Sequence, residues 1–141
     1  MKINAFKVVL VSFLILFAVL LSACQAIQMR EYYSEKGNYI TATGTVSHIS
    51  IDEEKRILYI DFSELSPSFD DTCFKIVGSN FVILRQKGIV DSLRKGDTIE
   101  FVSAPRYFGD GYIMPIVSIS IAGECVLEFE EGLTNFLEWQ N

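Results

Sequence analysis

The sequence is short of the residues that most enzyme chemistries need. It holds one histidine, His48, and three cysteines. No spacing among them suits zinc. No Gly-x-Ser-x-Gly elbow accompanies His48, so a Ser–His–Asp site is not signalled. No glycine-rich phosphate loop is present. The acidic clusters at 52–54 and 70–71 lack the ligand spacing of a calcium loop and read as solvated turns. No catalytic residue, metal or cofactor is therefore expected. The chain also lacks internal repeats, low-complexity stretches and any Gly/Ser/Pro-rich linker, which leaves no obvious place to divide its globular part.

Long apolar runs are absent but for one. Residues 8–23 form an apolar stretch interrupted only by Ser12 and Ser22 and preceded by Lys2 and Lys7. A bilayer-spanning helix wants about 20 apolar residues, so this run of 16 suits the core of a signal peptide better than a span. It ends in Leu21-Ser22-Ala23-Cys24. This resembles the lipobox of bacterial lipoprotein precursors. The resemblance implies that the Cys24 thiol is diacylglycerylated, that the chain is cut just before it, and that Cys24 becomes the mature N-terminus. The bland alternative is an uncleaved anchor with an incidental cysteine. Each buried CH₂ contributes about 0.8 kcal/mol, so two or three chains such as palmitate would hold durably where one would not. Gln25, rather than Asp, follows the cysteine. The resemblance then implies the extracytoplasmic face of the cell membrane, or the outer membrane in a two-membrane host.

This divides the chain into a signal peptide (1–23), a lipidated cysteine with its tether (24–38) and one domain (39–141). Cleavage leaves 118 residues, enough for a real core. It removes two of the twelve basic residues and none of the eighteen acidic ones, for a formal charge of −8. Such a domain tends to repel nucleic acid. Cys73 and Cys125 remain. Outside the cytoplasm they are free to form a disulfide, worth up to roughly 4 kcal/mol for a loop of about 52 residues. Two separately buried thiols are the equal alternative.

Residues 26–36 read as a helix, with Met29, Tyr32 and Tyr33 on one face and Gly37 as its stop. Residues 39–51 are rich in β-branched side chains and read as a long first strand whose phase switches after Gly44, a sign of a bulge. A charged turn at 52–56 leads to strand two, 57–64. Strand three spans 73–77, with 81–84 a possible continuation. A short helix follows over 86–93, then strand four at 98–103. The loop 104–111 carries an exposed aromatic pair. Strand five runs 112–122, with Pro115 marking an edge or bulge. Residues 125–127 offer a short hairpin partner. Phe129, Leu133, Phe136 and Leu137 then make an i, i+4, i+7, i+8 stripe on a last helix, 129–140.

Five strands with a bent first strand and a helix between the third and fourth predict an all-β barrel on the OB-fold plan. Four stretches carry a further resemblance: Thr43-Gly44-Thr45-Val46, Lys95-Gly96-Asp97, the loop from Ala104 to Tyr112, and Phe129-Glu130-Glu131-Gly132. On these the domain resembles small bacterial lipoproteins that carry an anticodon-binding-like OB domain. The resemblance implies a fold and a location but no reaction.

An OB-fold binds ligands on strands two and three and on the loops flanking them. That places a candidate ligand site at Lys55, Arg56, Tyr59, Arg106, Tyr107, Phe108 and Tyr112, where aromatics with basic neighbours could stack on bases or sugars. The alternative is that Tyr107 and Phe108 fold back onto the barrel. The expected function is non-catalytic binding or assembly at the cell envelope, with an envelope protein, peptide or glycan as partner and the membrane reached through Cys24. The rivals are a nucleic-acid-binding OB domain and a hydrolase. The hydrolase requires Asp61, Glu64 or Asp110 to converge on Arg106 in a cleft.

Overall fold

A computed structural model describes residues 5–109 and 114–141. Ala5–Ser34 form one continuous helix, α1. It is long and apolar enough to cross a membrane, and its most apolar window is wholly exposed. The helix runs through Cys24 and ends three residues before Gly37, in a 3-10 turn at Lys36–Asn38. The Glu35 carboxylate accepts the Gly37 N–H there.

The remaining elements are β1 (Ile40–Asp52), β2 (Ile57–Ser66), β3 (Cys73–Val77), α2 (Gly78–Gln86), α3 (Ile89–Ser92), β4 (Thr98–Ser103), β5 (Ile116–Ile121), β6 (Glu124–Leu127) and α4 (Phe129–Gln140). The strands form one antiparallel sheet in the order β3-β2-β1-β4-β5-β6. β1 is shared. Its first half pairs with β4 as far as Thr45 opposite Thr98, while its pairing with β2 continues to Asp52 opposite Ile57. The β1–β2 register shifts twice between Thr45 and His48, where the sequence phase switches. Gly44 has no room for a side chain, since a Cβ there would lie 2.5 Å from the Phe62 ring. β3, at one end of the strand order, also makes a parallel bridge from Lys75 to Pro115, with the Lys75 N–H 3.1 Å from the Met114 carbonyl.

Alternation along the strands feeds two apolar clusters. Leu58, Ile60, Phe62, Phe74, Ile76, Ile99, Phe101 and Ile119 pack with Phe81 and Leu84 of α2. Ile57, Val77, Ala104 and Val117 point the other way, where Tyr33 of α1 and Leu133 and Phe136 of α4 cover them.

Three expectations change. The chain is mixed α/β rather than all-β, with six strands, because residues 124–127 pair along β5 and α1 adds 30 helical residues. The run 81–84 is helical and does not extend β3. Gly78 turns the chain at φ +58°, after which Phe81 and Leu84 bury one face and Asn80 is held by Gly132. Tertiary packing here overrides the β-branched character of Val82 and Ile83. The helix expected over 86–93 is instead split at Gly88, φ +73°, into the end of α2 and the single turn of α3. Strand five is described from Ile116; Tyr112 and Ile113 lie outside the described residues.

Candidate functional site

The loop after β4 is fixed from two sides. The Asp70 backbone N–H donates to the Pro105 carbonyl (3.0 Å) and its carboxylate accepts the Tyr107 N–H (3.1 Å). From the other side α1 closes on the same loop. The Tyr33 hydroxyl donates to the Arg106 carbonyl at 3.0 Å, and the Gln25 side-chain amide donates to the Phe108 carbonyl. Tyr32 and Tyr33 meet the Phe108 ring edge-on at 5.5 and 5.6 Å. The Arg106 guanidinium lies 4.4 Å from the Phe108 ring centroid and 5.9 Å from that of Tyr32.

Phe108 is therefore buried, and the exposed aromatic pair of the sequence reading is corrected to one exposed ring, Tyr107, at 37%. The physical reason is α1: its Met29, Tyr32 and Tyr33 face needs an apolar partner, and Phe108 supplies it. What stays open is a groove of about 480 Å³ lined by Leu21, Cys24, Gln25, Gln28 and Arg106, Tyr107 and Phe108. Cys24 is exposed within it. A cation, an aromatic ring and the candidate lipidation site thus share one surface. No protein-family model matches this chain, and no curated protein matches it.

The rest of the predicted ligand set is dispersed. Lys55 and Arg56 occupy the β1–β2 turn; Lys55 faces Asp52 at 3.7 Å and the Arg56 carbonyl accepts the Gly78 N–H. Tyr59 is half-buried on the same cluster as Phe108, with the Lys75 ammonium 5.4 Å from its ring centroid. Tyr112 and Asp110 lie outside the described residues. Glu64 lines a groove with Thr43, Thr45 and Thr98, apart from Arg106, while Asp61 stands opposite His48 and Cys73 in the sheet. His48 is exposed on β1. Among the described residues, no three His, Cys, Asp or Glu side chains gather as metal ligands. The contacts of Tyr33 and Gln25 with loop 104–109 were missed from sequence. The adjacent tyrosines of the tether were the available signal, but nothing named their partner.

Cys73 and Cys125 are both free. Topology keeps them apart. Lys75 is level with Pro115 and Cys125 with Ser120, so five residues of β5, about 17 Å, already separate their rows. Cys73 lies farther still along the parallel direction, well beyond the reach of a disulfide. Burial first, then the Asp61 carboxylate, pushes the Cys73 thiol from 9.0 up to about 11. Its thiolate fraction near pH 8 is then ~100-fold below that of an ordinary thiol. Iodoacetamide at pH 8 should modify exposed Cys125 readily and Cys73 only after unfolding. Two thiols that both stay blocked until a reductant is added would contradict this arrangement.

Proposed function

We propose that the protein is a membrane-anchored lipoprotein whose domain is an OB-like barrel serving as a non-catalytic binding or assembly module at the cell envelope. The observation that carries this reading is the position of Cys24. It lies in α1 just after the exposed apolar stretch of that helix and opens into the groove beside Arg106 and Tyr107. Aromatic and basic side chains favour the membrane–water interface, so the surface around an acylated Cys24 has suitable neighbours. The parallel bridge from Lys75 to Pro115 and the sharing of β1 between β2 and β4 support a closed five-strand plan, with α2 and α3 inserted between β3 and β4. β6 and α4 are additions to that plan.

Mass spectrometry of the membrane-extracted protein tests the anchor. The expected product starts at Cys24 and carries two or three acyl chains; an N-terminus upstream, or an unmodified Cys24, would remove it. Crosslinking in the native membrane tests the loop. Tyr107→Ala, which leaves buried Phe108 in place, is expected to lose envelope partners that the unaltered protein captures. An unchanged set would exclude the loop as the binding surface.

A further inference from the structure

We propose that Ile27, Tyr107 and Trp139 form a rim that seats the domain in the phospholipid headgroup layer of the membrane holding Cys24. This rests on the anchoring at Cys24 and identifies what the surface beside it meets. Among the described residues beyond Cys24, the exposed large hydrophobic side chains are Ile27 at 57%, Ile51 at 39%, Tyr107 at 37% and Trp139 at 43%. Single ones scattered over a surface are ordinary. Ile27, Tyr107 and Trp139 are not scattered. They lie on the tether, on the loop fastened to it and on the helix end turned toward it.

The loop after β4 descends along α1 toward Cys24. Tyr33 holds its Arg106 carbonyl, and Gln25, about two helical turns earlier, holds its Phe108 carbonyl. Tyr107 reaches the groove that Leu21 and Cys24 also line. Leu21 belongs to the exposed apolar stretch of α1, so this surface continues the one that the anchor places in lipid. α4 descends as well. Its contacts with the tether step in opposite directions along the two segments. Lys36 pairs with Glu130 at 2.6 Å, Tyr33 meets Phe136 edge-on at 5.6 Å, and Arg30 reaches the Gln140 carbonyl at 3.4 Å. The C-terminal end of α4, with Trp139, therefore points back toward Cys24.

Height decides whether these groups reach lipid. A bilayer of about 40–45 Å with about 30 Å of hydrocarbon leaves a headgroup layer of roughly 5–8 Å per leaflet. With Cys24 at the inner boundary of that layer, Ile27 stands about 4.5 Å outward along α1 and Arg30 about 9 Å. Ile27 and Tyr107 then fall within the layer, and Trp139, near the level of Arg30, meets its outer limit. Tyrosine and tryptophan favour this layer because their rings join an apolar body to a polar edge. Charge does not choose the occupant. Arg30 and Arg106 share the rim with Glu31, Asp70 and Glu138, so neither sign prevails. A zwitterionic lipid surface fits such a rim without help from anionic lipid. An envelope protein that meets Tyr107 would do so at the membrane surface.

Trp139 is the one tryptophan of the chain, so its emission reports its own depth. The test takes the full chain from its membrane, with its lipid, into phosphatidylcholine vesicles that carry a nitroxide on the headgroup. Two companion proteins move the reporter, each with Trp139→Phe. One has Tyr107→Trp. The other has Lys36→Trp, at the exposed far end of the tether, roughly 18 Å beyond Cys24. The label is expected to remove most of the emission at position 107, a smaller share at 139 and almost none at 36, with all three proteins folded by circular dichroism. The unaltered protein needs no substitution, so unquenched Trp139 in vesicle-bound protein overturns the rim by itself. Equal quenching at 107 and 36 overturns it too, as does quenching that appears only when anionic lipid is added. Flotation separates the rim from the anchor. Protein that floats with the vesicles without the gradient loses the rim and keeps the anchor; protein that does not float loses both.

Discussion

Gly132→Ala is expected to cost about 3 kcal/mol or more of stability, the range reached when a core contact cannot relax. A Cβ at 132 would overlap the carbonyl oxygen of Val117 and lie 2.7 Å from its carbon. Both partners are backbone, one on α4 and one on β5, so no side chain can turn aside. α4 must lift, and with it Leu133 and Phe136, which cover the cluster beneath. The Asn80 amide, which donates to the Gly132 carbonyl at 2.8 Å and accepts from Asn135 at 3.0 Å, would lose its register too. Urea unfolding of both proteins measures the difference. Gly37→Ala is the control, since its Cβ would meet only the Glu35 carboxylate at 3.6 Å. Equal loss in both variants would show that helix or turn propensity, and not the α4–β5 approach, sets the effect.

Tyr33→Ala carries the second large effect. Tyr33 is 0% exposed, packs edge-on against Tyr32, Phe108 and Phe136, and donates its hydroxyl to Arg106. Truncating a large buried aromatic costs about 3–5 kcal/mol. Tyr33→Phe keeps the ring and removes the hydroxyl with its hydrogen bond to Arg106, and should cost about 1 kcal/mol. The two variants separate packing from polarity. Tyr33→Ala should also free the end of α1, so limited proteolysis should cut residues 25–38 faster while the sheet persists. Unchanged protection there would mean that other contacts hold the segment, among them Gln25 on the Phe108 carbonyl, Tyr32 on the Phe108 ring, and Tyr39 through its ring contact with Phe129 and its hydrogen bond to the Tyr33 carbonyl.

The legible parts of the fold are those whose cause is local. Strands three and four have the bounds that apolar alternation predicts, and strands one and two differ by one or two residues. The Phe129, Leu133 and Phe136 stripe falls on α4 as its spacing requires. What failed depends on distant partners. Phe108 looks like a surface aromatic until Tyr33, 75 positions earlier, closes over it. The apolar residues 81–84 carry strand propensity, but their helical form is decided by what Phe81 and Leu84 meet in the core. The separation of Cys73 from Cys125, between two alternatives the sequence left equal, follows from the strand order, which no spacing between two cysteines encodes. That Cys24 opens beside Arg106 and Tyr107 was not legible from the residues flanking it.

The continuity of α1 has a consequence for how the domain would meet anything else. From Cys24 to Tyr33 the helix rises about 14 Å, and it is fastened to the loop after β4 at both ends, by Gln25 to the Phe108 carbonyl and by Tyr33 to the Arg106 carbonyl. Under the proposed anchoring this segment is a stiff strut of fixed length. The domain would keep a set height and tilt, sampling positions chiefly by lateral diffusion in the plane of the membrane. Encounter would become a two-dimensional search within a thin layer, where a modest affinity suffices and a partner standing farther out is never reached.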